Sequence, residues 1–176
     1  MLVMESTIVS TDVWHIEHRR EVLELYGKVS VRWAALDLLL VGVLSIALEN
    51  RPAAHDLIFN AAGSGKTRLD AFNRAIGASR FTREERAASL ELTRKAADLL
   101  SARNEIIHAP LVIGLSIDGS KITPTLNKLG RQGKEQPLAV SKIEKHVKAI
   151  GDILSKLERL AESLDLKYDP IDPDDL

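Results

Sequence analysis

Ten residues, Ser101 to Pro110, read SARNEIIHAP. Three of their side chains have types that could act together on a charged group. Arg103 is a fixed cation with five hydrogen-bond donors, Asn104 donates and accepts, and His108 is of the one type that titrates near neutral pH. They fall where an apolar helical pattern stops. One stripe runs Leu92, Ala96, Leu99, Arg103, Ile106, and a second runs Leu90, Ala97, Leu100, Asn104, Ile107. An unpaired charge in such a place costs on the order of several kcal/mol in desolvation. Arg103 therefore needs a carboxylate partner, a wet groove or an anion. Asn104 and His108 are four apart and share a helix face. Arg103 and His108 are five apart, roughly 140° around an ideal helix. One helix is expected to converge this pair poorly unless its last turn loosens before Pro110. Two copies meeting about a twofold axis along this helix would instead pool two of each side chain in one cleft.

The elements that must hold these residues are mainly helices. A first helix is expected to begin near Thr11 or Asp12. Its stripe, Val22, Tyr26, Val29, Trp33, Leu36, Leu40, Val43, Ala47, alternates intervals of four and three, the pattern of a helix lying along others. Asn50-Arg51-Pro52 should end it, because the residue before proline avoids helical geometry. A short second helix is expected over about Lys66 to Ile76. Thr82-Arg83-Glu84-Glu85 forms a capping box for a third helix from Arg83 to near His108, stopped by Pro110. Leu111, Ile113, Leu115 and Ile117 alternate along a strand. Asp118-Gly119 suits a tight turn, and Ile122, Pro124 and Leu126 return, with the proline arguing for an edge strand. NKLGRQGKEQP reads as a polar loop. Ser141 to Glu144 forms a second capping box. Behind it the stripe Val140, Ile143, Val147, Ile150, Leu154, Leu157, Ala161, Leu164 marks the fourth helix.

The expected architecture is thus mainly all-α, a four-helix bundle with a short β-hairpin between helices three and four. Residues 1–165 form the helical domain, and 166–176 an acidic, proline-broken and loosely held tail.

Bulk composition narrows the function classes. The chain has 176 residues, 45% hydrophobic, 28% charged and only 4% aromatic, with net charge −1. That suits one soluble domain whose core is aliphatic, and no global field draws in nucleic acid. With no cysteine, disulfides, thiolate metal sites and a cysteine nucleophile are excluded. No signal peptide is expected, and Ala34 to Leu48 reads as a buried helix too short to span a bilayer and interrupted by Asp37. The expected location is the cytoplasm. Between Lys66 and Arg103 nine basic residues face five acidic ones, a band that suits RNA phosphates or a solvated helix face.

Arg103-Asn104-Glu105-Ile106-Ile107-His108 resembles the R-N-x-x-x-H motif of the HEPN superfamily (higher eukaryotes and prokaryotes nucleotide-binding). The layout resembles it too, from about Thr11 to Leu164: a long first helix, the motif late in the third, a β excursion, and a long fourth helix. The resemblance implies a metal-independent endoribonuclease that acts as a homodimer, with the motif at the dimer cleft. His108 would take the proton of a ribose 2′-hydroxyl. Arg103 would hold the phosphate and offset transition-state charge. Asn104 would orient His108 or donate to a phosphate oxygen. The product would carry a 2′,3′-cyclic phosphate, with no metal and no cofactor. Some members are toxins paired with a small nucleotidyltransferase-like antitoxin, and these often show Tyr two residues after the histidine. Pro110 stands there in this chain, so that role has no carrier.

Three other readings compete. A catalytically inactive HEPN-type module would bind a protein or nucleotide through the same elements. In a purely structural reading His108 caps its helix, Arg103 pairs with Asp37 or Glu49, and Asn104 bonds a loop carbonyl. Finally, NAAGSGKT (Asn60 to Thr67) imitates a phosphate-binding P-loop, but Asn60 stands where that motif needs glycine and a long helix stands where it needs a strand. Trp14 and Trp33 read as packing, His15 and His18 as surface, and His55 and His146 have no companions in sequence.

Overall fold

The structure, a computed structural model, describes residues 19–61, 63–108, 111–118, 121–129 and 134–168. It is mostly helical, the class the apolar periodicity implies. The expected helix start near Thr11 or Asp12, the turn residue Gly119, and Trp14, His15 and His18 lie outside the described residues.

Helix α1, Arg19–Leu48, is 30 residues long. Its stripe faces inward: Val22, Val29, Trp33, Leu36, Leu40, Val43 and Ala47 are all buried. The apolar run Ala34 to Leu48 is part of this longer helix, which by length and composition alone could cross a membrane, as the core helix of a soluble protein also could. The inward face of α1 packs on the other helices. Proline does not end α1. Glu49 adopts a left-handed φ of 52°, and the Asn50 N–H donates to the Ser45 carbonyl at 3.2 Å. This is a Schellman-type stop, with Glu49 in the place glycine usually takes. Arg80 pairs with the Glu49 carboxylate, holding the strained residue from outside.

Asn50 then caps a new helix, α2, Arg51–His55. Its side chain accepts from the Ala53 N–H at 3.0 Å, and Pro52 sits in the first turn, where no amide donor is needed. A π-helical turn, Asp56–Asn60, follows. Neither element was expected, since segments of this length are too short to show a period. Helix α3, Gly65–Gly77, starts from a capping box made by Ser64 and Thr67. The GSGKT segment is thus a helix cap. Among the described residues a π-helical turn rather than a strand precedes it, and the P-loop reading loses its structural context.

Helix α4, Arg83–His108, starts at the Thr82 box: the Thr82 N–H donates to Glu85 Oε2 at 2.8 Å, and the Glu85 N–H to Thr82 Oγ1 at 3.3 Å. Strands β1, Leu111–Asp118, and β2, Lys121–Leu129, pair antiparallel, with Leu115 opposite Pro124 and Asp118 opposite Lys121. A short β3, Glu135–Pro137, pairs with Asn127–Leu129. The segment expected to be a polar loop therefore holds the end of β2 and all of β3. β2 is the middle strand. Pro124 is tolerated because β3 reaches only as far as Asn127.

Helix α5, Val140–Tyr168, begins one residue before Ser141, which lies in the first turn rather than at a cap. Every third or fourth residue from Ile143 to Leu164 faces the core. α5 also runs three residues past the expected domain edge at 165. Tyr168 packs on Phe81 with ring centres 5.3 Å apart, and its hydroxyl donates to Glu85 Oε2 at 2.7 Å.

α1 is the central element, packed on α3, α4 and α5. It runs parallel to α5: Leu25 and Val29 cluster with Ile143 and Val147 at one end. At the other end Arg80 touches both Glu49 and the Tyr168 ring. α4 runs back between these ends, which brings its last turns, with Arg103, Asn104 and His108, alongside the first half of α1 and Trp33 near its middle.

Candidate active site

The last turn of α4 brings the three motif residues together within one chain. Arg103 Nη1 lies 3.0 Å from Asn104 Oδ1 and 3.4 Å from His108 Nε2. The expectation that one helix converges them poorly is corrected. α4 stays helical through His108, and the length of the arginine side chain spans the angle that Cα positions alone leave open. Asn104 and His108 are exposed and Arg103 is half-buried. Guanidinium nitrogens only donate. The Arg103 contact is therefore a hydrogen bond only when His108 Nε2 carries its lone pair and the ring proton sits on Nδ1.

Arg103 does not take the carboxylate partners weighed for it. Asp37 pairs with Arg68, and Glu49 pairs with Arg80. Its guanidinium instead lies over the buried Trp33 ring, 5.8 Å from the centroid, a cation–π geometry. Arg103 Nε is buried and has no hydrogen-bond partner among the described residues. The charge of Arg103 is thus carried by an aromatic face and by the field of Asp37.

Asp37 stands one turn beyond Trp33 on the same face of α1, 6% exposed within an otherwise apolar stripe. Burial pushes its carboxyl above the usual range, and Arg68, then Arg103, draw it part of the way back. The Arg68 guanidinium also lies 5.8 Å from the Phe59 ring centre. The π-helical turn that carries Phe59 thus helps hold the cation that neutralises Asp37. On the other side His146 of α5 stacks on Trp33, with centroids 6.5 Å apart and planes 12° from parallel. His146 is buried, neither ring nitrogen has a partner among the described residues, and burial lowers its pKa. At the rim Lys128 of β2 pairs with Glu105, tying the sheet to the last turn of α4.

Arg68, His146 and the role of Trp33 as a platform were not legible as site features. The available signal was Asp37, a lone carboxylate one turn from a tryptophan. The basic band is mostly spent within the fold. Arg68, Arg80, Arg94 and Lys95 are ion-paired, and Arg86 donates to the Ser79 carbonyl. His55 packs on Phe59, ring centres 4.9 Å apart. No cluster of potential metal ligands occurs among the described residues.

Comparison with family profiles, characterised proteins and solved structures finds no match for this chain.

Proposed function

We propose that this chain is a HEPN-type, metal-independent endoribonuclease that works as a cytoplasmic homodimer. In this reading α1, α3, α4 and α5 make a four-helix bundle of that type, with the strands as an excursion between its last two helices. The carrying observation is that Arg103 Nη1 touches both Asn104 and His108 on an exposed face of α4. A phosphate entering there meets a guanidinium, an amide and an imidazole at once. His108 takes the 2′-hydroxyl proton, and the freed oxygen bonds to the adjacent phosphorus. The bond from phosphorus to the 5′-oxygen breaks, and that oxygen leaves as an alcohol with a proton from solvent water, to which His108 later returns the one it took. Arg103 balances charge on the phosphoryl oxygens, and Asn104 holds the guanidinium toward them. A toxin role beside a nucleotidyltransferase-like antitoxin fits the same chemistry.

One observation favours a second reading, a catalytically silent HEPN-type module for a protein or nucleotide. A guanidinium proton directed at His108 Nε2 occupies the lone pair a general base uses, so turnover requires substrate to displace it. The test is single-stranded RNA incubated in EDTA with the parent, His108→Ala and Arg103→Ala. The parent should leave 2′,3′-cyclic ends, and each variant should lose about 10²-fold or more in rate. No cleavage by a folded, dimeric parent leaves the silent module.

A further inference from the structure

A groove of about 470 Å³ runs between α1 and α5. Its cationic lining comes from one face of each helix: Lys28 and Arg32, four apart on α1, and Lys148 on α5. None of the three makes an ion pair with a described residue. Arg32 is fixed in place, because it donates through Nη1 to the Val147 carbonyl. Its guanidinium lies close against Gly151, where a Cβ would come 2.6 Å from Nη1. Any larger residue at 151 would lift the guanidinium off the helix. Such a half-buried, preorientated fork keeps its remaining N–H groups for a ligand, and its geometry matches a phosphate.

We propose that this groove anchors a phosphate of an RNA strand, outside the Arg103 centre. Glu144 and Asp152 also line it, so three cations face two carboxylates. That balance suits one phosphate at the Arg32 fork rather than a continuous polyanion track. The groove and the motif centre are linked through adjacent residues of α1 and α5. Arg32 neighbours Trp33, which carries Arg103, and Val147 neighbours His146, which stacks on the same ring. A phosphate held here sets the register of a strand that reaches the other site, as backbone contacts generally do. RNA as the owner of the phosphate rests on the nuclease reading; the anion site does not.

The probe is a fluorescein-labelled 2′-O-methyl oligoribonucleotide, which lacks an attackable hydroxyl, so that anisotropy reads binding apart from cleavage. Arg32→Gln should weaken binding about tenfold at low salt and reduce the salt slope by about one. Gly151→Ala keeps every charge and displaces only the fork; it should weaken binding about threefold or more, in line with a lost phosphate contact. Lys28→Gln with Lys148→Gln, both exposed positions, carries the test should either of the first two melt early. Parent-like affinity in folded Arg32→Gln and in the double lysine variant overturns the site. AMP is the second arm: if it binds as tightly as the oligomer and competes with it, the phosphate belongs to a free nucleotide and the strand assignment falls. A parent that binds the oligomer but never cleaves RNA ends the nuclease reading and leaves the groove standing.

Discussion

The guanidinium of Arg103 rests over the face of Trp33, 5.8 Å from the ring centre, joining the last turn of α4 to the middle of α1. A cation over a desolvated indole gains about 0.5–2 kcal/mol. The ring therefore decides where the guanidinium sits, and α4 supplies Asn104 and His108 around it. Trp33→Leu keeps an apolar side chain but removes the π face. We expect a loss of about 2–4 kcal/mol in stability from the cavity left in the core, measured by urea denaturation. If the chain cleaves RNA as proposed, cleavage should fall further than the unfolded fraction explains, with kcat carrying the loss. A folded variant as active as its parent would show that the ring only fills space.

Asp37 should trade stability for position. Burial raises its carboxyl above the ordinary value of about 4 despite Arg68 and Arg103. The folded chain then holds that proton more tightly than the unfolded chain. Stability from this group is greatest at acid pH and is lost as pH rises through the raised value. Asp37→Asn should match the parent near pH 4 and become relatively more stable toward pH 7. On the nuclease proposal cleavage should drop as well, because Arg103 no longer feels a carboxylate one turn from its ring. Thermal melts across that range read the first effect. A variant progressively less stable than the parent as pH rises would mean that the Arg68 pair outweighs burial.

His146 has the opposite sign to Asp37. Its buried ring is held neutral, with its pKa below the ordinary value of about 6.5. The unfolded chain takes up the proton first as pH falls, so stability is full above about 6.5 and declines below it. His146→Phe keeps a flat ring on Trp33 and removes the titration. Its melting temperature should exceed the parent's at pH 5.5 by more than at pH 7.5. A constant difference across that interval would place the imidazole in contact with water.

Glu85 ties the end of α5 to the start of α4. Burial alone would raise its carboxyl, but Lys167, the Tyr168 hydroxyl and Thr82 together bring it down to about 2. The sign is that of a depressed acid. The contribution is present above the unfolded value of about 4.3 and is lost as pH falls toward 2. Glu85→Gln should melt earlier than the parent at pH 7, with the gap closing in acid. Ending the chain after residue 165 should mimic it at neutral pH by removing Lys167 and Tyr168. A truncated chain with parental stability would show that the contact adds nothing.

Local chemistry and period were enough to read the bounds of α4, its Thr82–Glu85 cap, the inward stripes of α1 and α5, and the helix after Ser64. Each of these depends on residues within a turn or two of one another, and hydrogen-bond geometry and apolar spacing are local quantities. Arg103 and Asn104 stand out in the sequence because they interrupt apolar stripes at the same turn, and His108 because it follows Asn104 by four residues on the same face. What lay beyond it depended on partners distant in the chain. Glu49 ends α1 in a left-handed conformation with Arg80 across from it, and β3 exists only because β2 lies beside it. Asp37 chose Arg68 over Arg103 because α3 brings that guanidinium to the buried carboxylate. Arg103 then settled on Trp33, within reach of His108, by the length of its own side chain. Spacing places Cα atoms on a face, but packing selects which charge meets which, and that choice brings Arg103, Asn104 and His108 into contact.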